Sequence, residues 1–114
     1  MKEILIYHNP VWGKSRESVK ILKELCLDYK IIEYLKEPLV KEQIKQLSKL
    51  LNLPPKDFTR KNDKLIKDKI NDLDSDSIID EMIKSPRIIE RPIVVWNNKA
   101  IIARPPEKIY KFLS

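Results

Sequence analysis

The residues of this chain whose chemistry goes beyond packing fall in separated loops. One loop holds His8, Asn9, Lys14, Ser15 and Arg16, a second holds Arg60-Lys61-Asn62, and Arg91-Pro92 and Arg104-Pro105 bracket a pair of apolar runs. An arginine at a strand edge is ordinarily a solvated side chain. Three at loop positions that can converge would instead make a planar, bidentate fork for a tetrahedral oxyanion, which lysine cannot match. His8 titrates near neutrality and can tune a neighbouring ionisable group, or it can serve as a loop histidine bonded to backbone. Ser15 reads as a cap or first-turn helix residue rather than a nucleophile, because the chain has no second histidine to act as its base. One histidine and one cysteine without ligand spacing argue against a metal. Pro92 fits either the first position of a strand, where its missing amide costs no ladder bond, or a cis-proline in a tight turn.

The first loop needs a strand before it and a helix after it. Ile4 to Tyr7 is a short run of β-branched and aromatic residues, as a buried strand requires. Asn9-Pro10 breaks it, and Gly13, the only glycine in 114 residues, follows within the break. A glycine used once suggests a sharp bend or a close backbone approach. From Ser15 to about Cys26 the apolar spacing is helical, with Val19, Leu22 and Leu25/Cys26 on one stripe. Strand, tight loop and helix start together aim unpaired N–H groups and a positive dipole end at one spot.

The remaining elements follow from the same periodicities. Tyr29 to Tyr34 makes a second strand, parallel to the first through a right-handed crossover. Val40, Ile44, Leu47 and Leu51 mark a helix, Pro54-Pro55 a short helical turn ending near Phe58, and Ile66, Ile70 and Leu73 a further helix. Asp74-Ser75-Asp76 offers N-caps for another, with Ile78/Ile79 and Met82/Ile83 inward and Pro86 as its stop. Ile93 to Trp96 and Ala100 to Ala103 pair as a hairpin across Asn97-Asn98. Pro105-Pro106 opens a last helix, with Ile109, Phe112 and Leu113 inward. The expected architecture is α/β: βαβ, a helical insertion over about residues 36–88, then ββα, giving a four-stranded mixed sheet in a single domain over 1–114.

Composition narrows the function classes. A net charge of +6 is compatible with an anionic partner. The lysines are interleaved with Asp and Glu, as in Lys61 to Asp72, and no aromatic-interleaved basic patch or nucleic-acid motif occurs, which argues against nucleic acid. No apolar run approaches the roughly 20 residues of a membrane span, and Ile4 to Tyr7 is too short for a signal-peptide core. Cys26 alone permits no internal disulfide and no CxxC pair, so the cytoplasm is the expected compartment.

Tyr7-His8-Asn9-Pro10-Val11-Trp12-Gly13-Lys14-Ser15-Arg16 resembles the active-site loop of the glutaredoxin-linked arsenate reductase family, whose pattern is His-Asn-Pro-x-Cys-x-x-Ser-Arg. The resemblance runs through Thr59-Arg60-Lys61-Asn62, Glu90-Arg91-Pro92-Ile93-Val94-Val95 and Ala103-Arg104-Pro105, in order along essentially the whole chain. It implies a thioredoxin-like fold with a helical insertion. It also implies that Arg60, Arg91 and Arg104 bind an oxyanion and that His8 favours a thiolate. Ser15 matches the serine three residues past the nucleophile, and Pro92 matches a cis-proline facing the loop. Asn9, Pro10 and Gly13 frame the site. Glutathione and glutaredoxin are the family's co-substrates, and no bound cofactor is implied. The family also includes Spx-type regulators, which act by binding a protein partner, RNA polymerase.

Trp12 is the departure, because it stands where the family has its catalytic cysteine. Indole has one N–H donor and no nucleophilic lone pair, so the attack on arsenate and the later thiol exchange have no group to perform them. Cys26, read as a small buried apolar residue about three turns down the helix, lies roughly 20 Å from the loop. The expectations are therefore a family member without thiol redox chemistry that keeps an oxyanion or glutathione site, or a protein-interaction module of the Spx type without a redox switch.

Overall fold

A computed structural model of the chain describes residues 3–114, and two compact units emerge: Met1–Glu37 with Arg91–Ser114, and Pro38–Glu90. The first unit carries the sheet. Its strands are β1 (Ile4–Tyr7), β2 (Tyr29–Ile32), β3 (Ile93–Trp96) and β4 (Lys99–Ile102), in the order β2-β1-β3-β4. β1 pairs parallel with β2, with Ile4 opposite Tyr29 and Tyr7 opposite Ile32. β1 and β3 run antiparallel, as do β3 and β4. The sheet is therefore mixed, as the sequence suggests.

α1 (Gly13–Glu24) crosses between β1 and β2. Its inward positions Ser15, Ser18, Val19 and Leu22 follow the i, i+3, i+4, i+7 spacing of one helical face. Ile4, Ile6, Val19, Ile21, Leu22, Val94, Ala103 and Ile109 form one apolar core, to which α4 (Lys108–Phe112) contributes Ile109 and a partly buried Phe112. The hairpin turns at Asn97-Asn98, whose φ values of 53° and 62° are the left-handed pair that a two-residue turn with the sheet's own twist requires. β4 sits one residue earlier than its apolar run implies, because the Trp96–Lys99 pairing fixes the register and leaves Ala103 to bond Pro92 O.

α1 also ends earlier than its apolar stripe suggests. Leu25 is the C-cap, and Cys26 follows with φ 56°. The Cys26 N–H donates to Lys23 O and the Leu27 N–H to Leu22 O, the paired bonds of a Schellman ending. Cys26 is thus an exposed residue in a position that favours glycine, not the buried apolar residue its spacing indicated.

The second unit contains α2 (Lys41–Leu51) and α3 (Ser75–Lys84), and its core is Ile44, Leu47, Phe58, Ile66, Ile70, Ile78, Met82 and Ile88. Asp74 caps α3, accepting the Ser77 N–H at 2.8 Å, and Gln43 Oε1 takes the Val40 N–H at the start of α2. Thr59 bridges to Ile89, with Arg60 N–H to Ile88 O and Glu90 N–H to Phe58 O on either side. The helix expected over Ile66, Ile70 and Leu73 does not form. Residues 61–69 are successive turns, followed by a 3-10 turn at Ile70–Asp72. Asn71, Asp72 and Asp74 disfavour helix interiors, and Asp63 bonds the Leu65 N–H with its side chain, which starts a turn instead. Ile66 and Ile70 are buried nonetheless, four residues apart on one side of the turns.

Candidate functional site

The loop between β1 and α1 is built by its own side chains. The His8 N–H extends the parallel ladder to Ile32 O. Asn9 then closes two turns: its Oδ1 accepts the Val11 N–H at 3.1 Å, and its carbonyl accepts the Trp12 N–H at 3.1 Å, with Pro10 at the position where a fixed φ suits a turn. Ser15, fully buried in the first turn of α1, ties loop to helix. Its Oγ accepts the Asn9 N–H at 3.0 Å and lies 2.6 Å from His8 Nδ1. The hydroxyl proton is then free to go to Nδ1, which accepts it when the neutral ring carries its own proton on Nε2. His8 is 7% exposed, and this burial pushes its pKa below the ordinary 6.5, against a smaller upward pull from Glu33. A neutral, Ser15-bound imidazole is the result.

Gly13 opens α1 with no left-handed backbone. A Cβ there would meet only an Arg16 guanidinium nitrogen, at 3.8 Å, which is ordinary contact. Neither a sharp bend nor a close backbone approach demands glycine at this position, contrary to the expectation from its single use. Pro10 and Lys14 are exposed.

Trp12 is the N-cap residue of α1 and makes no side-chain cap bond. Its ring lies against arginines delivered by the hairpin. The Arg91 guanidinium carbon is 3.9 Å from the ring centroid and that of Arg104 is 5.9 Å away. These residues are thirteen apart in sequence but meet because Ala103 N–H bonds Pro92 O across the open end of the β3–β4 pair. Both are followed by cis peptide bonds, Arg91-Pro92 and Arg104-Pro105. Of the alternatives for Pro92, the cis form is the one adopted, and the second cis-proline had no distinguishing signal in the sequence. Arg91 is 3% exposed and Arg104 is exposed. Cation–π attraction at such distances draws on the guanidinium's charge rather than its N–H donors.

Arg60 belongs to the Pro38–Glu90 unit, where its Nη1 lies 3.6 Å from Asp63 Oδ2 and 3.5 Å from Arg87 O. Arg87 Nη2 donates to Asp63 Oδ1 at 3.0 Å. The Leu65 N–H and these arginines hold the Asp63 carboxyl below its ordinary pKa. Sequence reasoning missed this acidic hub; its one signal was an Asp three residues after Arg60. Lys61 pairs with Asp57 at 3.3 Å, and Asn62 is exposed.

Chemically, the loop offers no thiol, and among the described residues no cluster of His, Cys, Asp and Glu could hold a metal ion. Cys26 lies beyond the far end of the 12-residue α1, about 18 Å of helix away from Trp12. Around Trp12 the site combines two arginine charges from the hairpin, a helix start and an aromatic face.

Comparison with known proteins gives consistent matches. The ArsC family model matches residues 7–112. The uncharacterized protein YfgD of Escherichia coli is 36% identical over 117 residues, covering 98% of each chain. An arsenate reductase of Neisseria meningitidis is 34% identical over 113 residues, with 96% of this chain and 97% of the relative covered. The solved structure of an arsenate reductase from Vibrio cholerae superposes with a TM-score of 0.90 at 34% identity, covering 96% of each chain.

Proposed function

This chain belongs to the ArsC family, with that family's thioredoxin-like α/β fold, and from that premise we propose that it is a member without thiol redox catalysis that keeps an anion-binding site. The carrying observation is Trp12 against Arg91, with 3.9 Å between guanidinium and ring, at the place where the family pattern has its nucleophile. Reduction of arsenate in this family's manner needs a thiolate to attack, and an indole supplies none. Arg91 and Arg104 remain beside the start of α1, and their donors suit a tetrahedral oxyanion or the carboxylates of glutathione. Arg60 is assigned to the same role from the family motif alone. His8 and Ser15, which would serve a thiolate in a working reductase, here brace the loop.

Isothermal titration of the protein with arsenate, phosphate, sulfate and glutathione tests the retained site. Saturable binding of at least one of them, lost in Arg104→Ala, is expected. Absence of heat with all four would refute the anion site.

A second reading, a protein-interaction module of the Spx type, takes Trp12 as its aromatic anchor; the side chain is half-buried against Arg91 and follows Val11, which is 80% exposed. Recovery of the same proteins from cell extract by wild-type and Trp12→Ala protein would count against it.

A further inference from the structure

A second basic feature lies along the side of α1. His8, Arg16, Val19, Lys20 and Lys23 line one concavity of about 270 Å³. Arg16, Lys20 and Lys23 are spaced i, i+4, i+7, which stacks them on one helical face. Ion pairs engage Lys36, Lys41, Arg60, Lys61, Lys69 and Arg87 elsewhere. None among the described residues engages Arg16, Lys20 or Lys23, although Glu17 and Glu24 share the helix. Three cations with no ion pair around one hollow make a positive potential there, which Glu24, one turn beyond Lys20, moderates.

The hollow also has a built polar wall. His8 is held in place by its Nδ1 contact to Ser15 and its backbone bond to Ile32. Its other ring nitrogen, Nε2, has no hydrogen-bond partner among the described residues, so it is the ring atom left to meet a ligand. Arg16 is drawn back over the first turn of α1, its Nη2 3.8 Å from where a Gly13 Cβ would stand. Val19 adds an apolar contact.

We propose that this concavity, which shares the β1–α1 loop but not the cluster of Trp12 with Arg91 and Arg104, is a second anion site that takes a phosphoryl or pyrophosphoryl group. The Arg16 fork and the Lys20 and Lys23 ammonium groups neutralise its charge, and His8 donates from Nε2. A dianion or higher charge is favoured because three cations meet it, with Glu33 the acidic group whose charge acts on His8. The inference does not rest on the reading of Trp12.

Because His8 is the sole histidine, its ring resonances report on this hollow without ambiguity. Isotope-labelled full-length protein is titrated at fixed pH with inorganic phosphate and then pyrophosphate, and the Trp12 indole N–H is followed as a reporter on the other site. The His8 ring signals should shift saturably, with half-saturation lower for pyrophosphate. The Lys20→Gln/Lys23→Gln protein should need roughly tenfold more ligand, while Arg104→Ala should leave the His8 response intact. Unmoved His8 signals, or equal half-saturation in the double variant, would overturn the proposal. So would a His8 response that disappears in Arg104→Ala, since the anion would then reside at the hairpin arginines.

Discussion

The Arg91 guanidinium lies 3.9 Å from the centre of the Trp12 ring, with Arg91 itself only 3% exposed. A buried cation of this kind is held by what surrounds it, and here one neighbour is an aromatic face at the position of the family's nucleophile. Arg91→Ala should lower unfolding stability by about 1–3 kcal/mol, through the lost cation–π contact and lost packing. Arg91→Lys should recover less than half of that, because a point charge cannot reproduce a planar contact. Urea unfolding monitored by tryptophan fluorescence measures both. A fully stable Arg91→Lys protein would show that planarity is irrelevant.

The His8–Ser15 pair predicts a pH dependence. Burial depresses the folded-state pKa of His8 below the 6.5 of the unfolded chain. Between the two values the unfolded state binds more protons, so stability rises with pH in that interval. The contribution is complete above about pH 6.5 and is lost as pH falls through the folded pKa. Asp63 and Asp74 are depressed from 3.8 and act only at lower pH. Unfolding at pH 7.5 and pH 5.5 should therefore show weaker stability at the lower pH, and His8→Gln should flatten the difference. Ser15→Ala should cost about 1–3 kcal/mol at both, since it strands the Asn9 N–H and His8 Nδ1. A wild-type protein equally stable at both pH values would contradict the assignment.

Cys26 carries a third expectation. An L-residue in the left-handed region costs about 1–2 kcal/mol, and glycine returns about 0.5–1 kcal/mol of that as chain entropy. Cys26→Gly should thus be more stable than Cys26→Ser by about 0.5 kcal/mol in paired urea titrations. The reverse order would mean that α1 does not end at Leu25.

The strands, the hairpin turn and α3 were legible because each rests on a local signal: β-branched runs, an Asn-Asn pair, and an Asp cap before paired isoleucines, although β2 stops at Ile32, two residues short of the expected Tyr34. The end of α1 was not, because its apolar stripe continues through Leu25 and Cys26 and no glycine marks the stop. The stretch around Ile66 misled because Ile66 and Ile70 keep helical spacing while being buried from turns. In the site, the arginines were legible as residue types beside prolines, but the Trp12–Arg91 stack depends on the hairpin register and has no sequence signature. The ties of Arg60 to Asp63 and Arg87 were equally invisible, since Arg87 is twenty-four residues from Asp63.

Position 12 decides whether the protein is a reductase, and arsenate reduction coupled to glutathione and glutaredoxin measures this. Wild-type protein should produce no arsenite above the protein-free background, and Trp12→Cys should produce it in proportion to protein concentration, because a cysteine there regains the start of α1 and its arginines. Wild-type turnover that persists through purification and scales with protein would contradict the loss of thiol catalysis.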